Sequence, residues 1–195
     1  HIKDGIALCN FLYWINITNY RNLNELKAAN MIDKLRKEQN NFVSTSFPTI
    51  SGFSSNGAII HYRVSERSNK NFSKNGIYLC DSGGQYFEGT TDVTRTVIIG
   101  NATNQMKKDF TLVLKAHIAL ASSKFPQGTS GNDLDILART PMWKHNMNYG
   151  HGTGHGVGSF LSVHEGPQRI SKGSFTSLEP GMITSNEPGF YKTGK

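Results

Sequence analysis

The run Gly150-His151-Gly152-Thr153-Gly154-His155-Gly156-Val157-Gly158 constrains this 195-residue chain more than any other stretch. A helix interior loses roughly 1 kcal/mol for each glycine relative to alanine, so five alternating glycines argue strongly against one. His151 and His155 are four residues apart but do not share a helical face, which excludes the helical His-Glu-x-x-His zinc pattern. What alternating glycine permits is close approach of backbone to backbone or to a ligand. His164 follows nine residues after His155, so three histidines fall within or just beyond glycine-rich sequence.

The rest of the chain mixes periods. Apolar spacing predicts helices over residues 6–14, after Asp4-Gly5, and 22–38. Residues 51–56 read as a loop, 58–62 as strand-like and 63–75 as a polar connection. Residues 77–80 and 92–99 are β candidates joined by a turn-rich segment. A long amphipathic helix is expected over 104–123, with Met106, Phe110, Val113, Leu114, Ile118 and Leu120 facing a core. A shorter one is expected over 131–139, opened by Asn132 or Asp133. Glu179-Pro180-Gly181 reads as a turn and 182–186 as a strand. No βαβαβ rhythm appears, which favours an α+β fold with antiparallel pairing.

Lys and Arg exceed Asp and Glu by 21 − 14 = +7. The densest basic stretch, 27–37, has helical spacing and reads as a solvated face, so no nucleic-acid partner is expected. The apolar stretch 110–121 is broken by Lys115 and His117 and is too short to span a bilayer, so no membrane partner is expected. Cys9 and Cys80 make neither a disulfide framework nor a zinc quartet. Both read as buried thiols of a reducing compartment, and the three Asn-x-Ser/Thr triplets read as chance. The chain begins at His1 rather than Met, and both ends read as cut.

Two carboxylates flank the turn-rich segment. If Asp81 stood opposite Asp92 in a hairpin, with Gln85 to Glu88 as a four-residue loop, both side chains would point to one face with Cβ atoms ~4.5–5.5 Å apart. Such a pair repels unless a cation lies between. Glu187, before Pro188-Gly189, adds a further carboxylate at the end of an apolar strand. With a histidine these form a mostly hard O, O, N, O set suited to Mn²⁺, Co²⁺ or Zn²⁺.

The stretches Asp81-Ser82-Gly83-Gly84-Gln85-Tyr86, Gly89-Thr90-Thr91-Asp92-Val93-Thr94-Arg95-Thr96, Gly152 to Gly158, Val163-His164-Glu165-Gly166-Pro167 and Asn186-Glu187-Pro188-Gly189 closely resemble the catalytic domain of the X-Pro aminopeptidases (aminopeptidase P). His1-Ile2-Lys3-Asp4-Gly5 and Gly57-Ala58-Ile59-Ile60-His61-Tyr62 are similar to the same family. The resemblance implies an α+β "pita-bread" fold with two divalent metal ions, most often manganese, with cobalt or zinc as alternatives. It implies metal ligands Asp81, Asp92, His155 and Glu187, catalytic roles for His164 and Glu187, and substrate contacts from His61, His151 and His164. It implies hydrolysis of the bond between an N-terminal residue and a following proline, by a cytoplasmic enzyme that is a homodimer at full length.

The family carries a second metal-bridging Glu, expected some way beyond Glu187, whereas the sequence stops at Lys195. Residues 1–195 are accordingly expected to be most of a single catalytic peptidase domain, C-terminally truncated, without the family's N-terminal domains. A prolidase-type dipeptidase of the same fold, and a pita-bread interaction module without metal, are the competing readings.

Overall fold

The computed structural model describes residues 1–194. Lys195, where the domain is expected to be cut, lies outside them. The chain divides into two compact units. One comprises His1–Ala102 with Ser159–Leu161 and the residues from Tyr191 on; the other comprises Thr103–Gly158 and Ser162–Phe190.

The first unit opens with α1, Ile2–Ile17, longer than expected at both ends. Asp4 belongs to its first turn and is buried, because Arg36 reaches it: Nε donates to Oδ1 at 2.7 Å and Nη2 to Oδ2 at 3.1 Å. Ala7, Leu8, Phe11 and Ile15 form the buried face of α1, and their packing outweighs the helix cost of Gly5. Cys9 points away from that face and is exposed, contrary to the sequence-based expectation, whereas Cys80 is buried as expected. A 3-10 turn, Tyr20–Asn22, precedes α2, Glu25–Lys37. The Asn24 side chain accepts from Lys27 N at 2.8 Å, and this cap starts α2 three residues later than apolar spacing suggests.

The strands follow: β1 Phe42–Thr45, β2 Ile50–Phe53, β3 Gly76–Ser82, β4 Gly84–Tyr86, β5 Gly89–Thr90 and β6 Val93–Ile99. They form two antiparallel sheets, β1-β4-β5 and β2-β3-β6. β2 lies partly in the expected loop 51–56. Its polar Ser51 is fully buried because its hydroxyl meets Glu25 O at 2.7 Å and Tyr78 Oη at 2.8 Å. Residues 58–62 are not a strand. A 3-10 helix, Ser54–Ala58, runs into a turn that exposes Ile59 and Ile60 and turns Tyr62 inward.

Glu25 explains that inward turn. Its fully buried carboxylate accepts from Phe53 N at 2.6 Å, Asn56 Nδ2 at 3.0 Å, Tyr62 Oη at 3.0 Å and Lys70 N at 2.9 Å. Leu8, Phe11 and Ile15 of α1, Ala28 and Ile32 of α2, and Phe53, Phe72 and Tyr78 make the core beside it.

The second unit contains α3, Asn104–Ala121, and α4, Gly131–Trp143. Leu112, Ala116 and Leu120 are the buried positions of α3, whereas Phe110, Leu114 and Ile118 are exposed. The expected core face is therefore rotated. Ala116 of α3 and Ala138 of α4 are both fully buried, and the two helices pack against each other. Ser130 caps α4: its N and Oγ donate to Asp133 Oδ2 at 2.9 and 2.7 Å. Pro141 falls in the last turn instead of ending the helix before it, and buried Met142 anchors that turn.

Two short strands, β7 Gly154–His155 and β8 Arg169–Ile170, pair antiparallel. The expected strand 182–186 is extended but ladders through a single bridge, Gly156 to Thr184. Its backbone still pairs with the glycine run: Val157 N to Ile183 O at 3.0 Å, Ser185 N to His155 O at 2.8 Å and Glu187 N to Thr153 O at 2.8 Å. Among the described residues no helix is long and apolar enough to cross a membrane.

Candidate metal centre

The first unit holds the two aspartates. β3 and β6 place Asp81 opposite Thr94 and Ser82 opposite Val93, and beyond the break Gln85 faces Thr90 and Tyr86 faces Gly89. The hairpin is therefore two residues out of the expected register, and its loop is Phe87-Glu88 rather than four residues. Because the slip is even, facing is preserved. Continuing the register past Ser82 and Val93 sets Asp92 level with Gly83, two positions along from Asp81 and on its side of the ladder. Such diagonal neighbours stand ~7–8 Å apart, less at Cβ.

Gly83 sits where the ladder breaks. A Cβ there would lie 2.0 Å from Thr91 O and 2.3 Å from Ser46 Oγ, so only glycine admits the chain carrying Asp92 this close. Thr94 Oγ1 donates to Asp81 Oδ1 at 2.7 Å and orients that carboxylate. The tip of the hairpin is tied to α1 and to the turn before β1, where Lys3 Nζ and Asn41 Nδ2 each donate to Glu88 at 2.5 Å. Those two bonds hold the Glu88 carboxyl down at about 2. His61, also in this unit, lies on the exposed turn beside Tyr62 with φ of +57°.

The second unit holds the histidines and Glu187. His155 Nδ1 lies 2.8 Å from Gly156 O. A carbonyl can only accept, so Nδ1 carries the hydrogen and Nε2 presents the lone pair of a neutral ring. That Nε2 faces Glu187 Oε1 at 3.1 Å. Two acceptors in this position are compatible only if a proton makes the ring an imidazolium or a cation lies between them. Two ligands each ~2.1 Å from a shared ion stand about 3.0–3.4 Å apart at ordinary coordination angles, so the spacing and the donor types fit a divalent metal.

Ser185 Oγ donates to Glu187 Oε1 at 2.6 Å and accepts from His155 N at 2.9 Å. It fixes both partners at once. Burial by itself would raise the Glu187 carboxyl. With His155 as the imidazolium, its hydrogen bond and that of Ser185, together with the charges of His155 and His151, outweigh that and hold it below its ordinary value. His164 stands edge-on to His155 with ring centroids 4.2 Å apart. Gly156 allows this approach: its N donates to Gln168 O at 3.1 Å, and a Cβ there would lie 1.9 Å from Glu165 O. His151 Nδ1 likewise donates to its neighbour's carbonyl, Gly152 O, at 2.8 Å.

His155, His164 and Glu187 thus come together within the second unit, and in the first Asp81 lies on β3 while Asp92 immediately precedes β6. Sequence reasoning missed Ser185 and Thr94. Both lie at the period of two that an extended segment implies, Ser185 two before Glu187 and Thr94 two after Asp92, and that spacing was the available signal.

Known proteins supply the context. Residues 1–195 match metallopeptidase family M24. The chain is 50% identical over its whole length to a probable Xaa-Pro aminopeptidase P of Sordaria macrospora and 47% identical to one of Fusarium vanettenii, and covers 33% and 32% of those proteins. It spans about one third of the length of the curated relatives it matches. Among solved structures, the X-prolyl aminopeptidase of Caenorhabditis elegans, described as a cytosolic enzyme with a di-nuclear active site, superposes with a TM-score of 0.94 at 42% identity. That match covers 100% of this chain and 32% of the other. The prolidase of Thermococcus sibiricus superposes at 0.87 with 30% identity, over 100% of this chain and 52% of the other. The pita-bread α+β fold expected from the motifs is the fold of this chain, and the chain belongs to metallopeptidase family M24.

Proposed function

We propose that this chain supplies the catalytic region of a metal-dependent aminopeptidase that cleaves the bond between an N-terminal residue and a following proline. The observation that carries the reading is the His155 to Glu187 contact at 3.1 Å, with the histidine tautomer set by Gly156. The similarity to enzymes named for X-Pro cleavage supports the substrate class.

In this reading Asp81, Asp92, His155 and Glu187 hold two divalent cations, manganese first among the candidates. Divalent cations held by these residues would supply a water of near-neutral pKa and Lewis-acid polarisation of the scissile carbonyl. In this reading Glu187 accepts the proton of the attacking water. His164, next to His155, donates to the oxyanion or to the leaving nitrogen. His61 and His151 contact the peptide. An X-Pro bond lacks the N–H that other aminopeptidases use, so recognition falls on the proline ring and the free amino terminus.

The C. elegans enzyme's description supports a cytoplasmic location and a two-metal site. A homodimer is proposed with them, on family resemblance. Prolidase is the second reading, favoured by the 0.87 superposition on the T. sibiricus enzyme. The two separate on a tripeptide. The full-length natural protein, supplied with Mn²⁺, is expected to release arginine from Arg-Pro-Pro. Cleavage restricted to dipeptides would establish the prolidase reading, and cleavage of neither substrate would remove both.

A further inference from the structure

We propose that Arg139, held by Asp135, is a positioning residue that sets His151 and the residue opposite Glu187 in the active arrangement. The proposal rests on the reading of His151, His155 and Glu187 as site residues.

Asp135 and Arg139 are one turn apart on α4, with Arg139 Nε donating to Asp135 Oδ2 at 2.6 Å. The two side chains are 8% and 13% exposed, so the pair is largely removed from water. Three further hydrogen bonds of the guanidinium go to residues 148–151, where the chain enters the glycine run. Nη1 donates to Asn148 Oδ1 at 3.0 Å and Tyr149 O at 2.9 Å, and Nη2 donates to His151 O at 2.8 Å. The guanidinium carbon lies 4.2 Å from the centroid of the Tyr149 ring, and that ring packs against His151 with centroids 5.0 Å apart.

The other oxygen of Asp135 serves the next residue. Thr153 Oγ1 donates to Asp135 Oδ1 at 2.5 Å and meets Tyr149 Oη at 2.6 Å, while Thr153 O accepts from Glu187 N at 2.8 Å. One ion pair therefore grips the carbonyls of residues 149 and 151, the hydroxyl of 153 and, through 153, the backbone of Glu187.

The loop needs such a grip. Residues 146–153 have no regular structure and include Gly150 and Gly152, so the backbone carries high conformational entropy of its own. A planar guanidinium supplies donors in a fixed fork to two carbonyls and a carboxylate together, which an ammonium does not. Neither Arg139 nor Asp135 was assigned a role from sequence, and neither is a proposed ligand.

The test uses the full-length natural protein and its Arg139→Lys and Asp135→Asn variants. They are assayed for kcat and KM on Arg-Pro-Pro and for Mn²⁺ affinity by calorimetry, with a thermal melt to confirm folding. Arg139→Lys is expected to lower kcat/KM by ~10²-fold, the scale of a misplacement of about 1 Å, and to weaken Mn²⁺ binding by ~10-fold. In a His151→Ala background the same substitution is expected to cost less kcat/KM, because one of the two groups it positions is gone, while the loss of Mn²⁺ affinity through Thr153 and Glu187 remains. Should Arg139→Lys fail to fold, Asp135→Asn, which keeps an acceptor for Thr153, carries the same comparison. An active, folded variant with unchanged Mn²⁺ affinity, or an equal loss in both backgrounds, overturns the positioning role alone. A wild-type protein that neither binds Mn²⁺ nor cleaves the peptide overturns the functional reading, and this proposal with it.

Discussion

His155 Nε2 lies 3.1 Å from Glu187 Oε1 while His155 Nδ1 is committed to Gly156 O at 2.8 Å. A neutral ring in that tautomer turns a lone pair toward a carboxylate, and a divalent cation resolves the conflict more completely than a proton because it also suits the spacing. A ligand that binds only the native state stabilises it by about 2.7 kcal/mol at a hundred times its Kd. Mn²⁺ should therefore raise the melting temperature of chelator-treated full-length protein by several degrees. Glu187→Gln should abolish that rise while leaving the metal-free melt nearly in place. A Mn²⁺ shift of equal size in the variant would place the metal elsewhere.

Backbone contact, as much as side chains, brings these ligands together. A Cβ on Gly154 would sit 2.0 Å from Ser185 O, on the strand segment that carries Glu187. Gly154→Ala must push that segment away from His155, at a cost of at least ~1–3 kcal/mol for overpacking. Mn²⁺ affinity should fall with it. Gly150→Ala, where the added Cβ meets nothing within 4 Å, is the control expected to retain both stability and metal affinity. If the two variants behave alike, the close approach is not what holds the pair.

The glycine run was legible because alternation of this kind has few structural uses, and the aspartate hairpin because an even register slip keeps side chains on one face. Other features were illegible for identifiable reasons. Residues 51–56 read as a loop, yet 51–53 belong to β2 and Ser51 is buried because its hydroxyl bonds lie on α2 and β3, partners distant in sequence. The apolar positions of α3 fill more than one face, and burial of Leu112, Ala116 and Leu120 is decided by where α4 packs. Ser185 and Thr94 are short polar residues whose roles exist only once their neighbours are in place.

The cysteines differ in a way that a reagent can read. Burial pushes the Cys80 thiol up to about 11, so at pH 8 only ~0.1% of it is thiolate, the reactive form. Cys9 is exposed on α1. Iodoacetamide at pH 8 should modify Cys9 and spare Cys80 until denaturant is added, as peptide mass spectrometry would record. Early alkylation of Cys80 in the folded protein would contradict the packing around β3.

The Asp4–Arg36 pair predicts an asymmetry. Both residues are buried, Tyr86 Oη also donates to Asp4 Oδ1 at 2.9 Å, and Arg36 Nη1 is buried without a hydrogen-bond partner. Removing one member, as in Asp4→Ala, strands a charge away from water at a cost of about 3–5 kcal/mol. Replacing both, with Asp4→Leu and Arg36→Met, exchanges the ion pair for apolar packing and should cost much less than Asp4→Ala. Urea denaturation midpoints should order the proteins as wild type, double variant, single variant. A double variant at or below the single one would show that the pair itself, rather than the avoidance of a lone buried charge, stabilises the fold.

Glu25 should behave differently, because its partners are mostly neutral donors from several segments. Its carboxylate accepts from the backbone N–H groups of Phe53 and Lys70 and from the side chains of Asn56 and Tyr62. Glu25→Ala leaves those donors buried without an acceptor, each at about 1–3 kcal/mol unless water enters. The chain 53–70 should loosen first, since Phe53, Asn56, Tyr62 and Lys70 all donate to this carboxylate, leaving Leu26 N to Asn69 Oδ1 at 3.0 Å and Glu25 N to Lys70 O at 3.1 Å as further ties to α2. Hydrogen exchange on the full-length protein should show faster exchange at residues 53–70 than at β3 and β6, whose ladder bonds do not involve Glu25. Glu25→Gln keeps an acceptor oxygen but puts an amide among donors, so its effect should fall between alanine and wild type. Uniform loss of protection across the first unit would instead make Glu25 a determinant of global stability, and unchanged exchange in 53–70 would remove its role in holding the His61 turn.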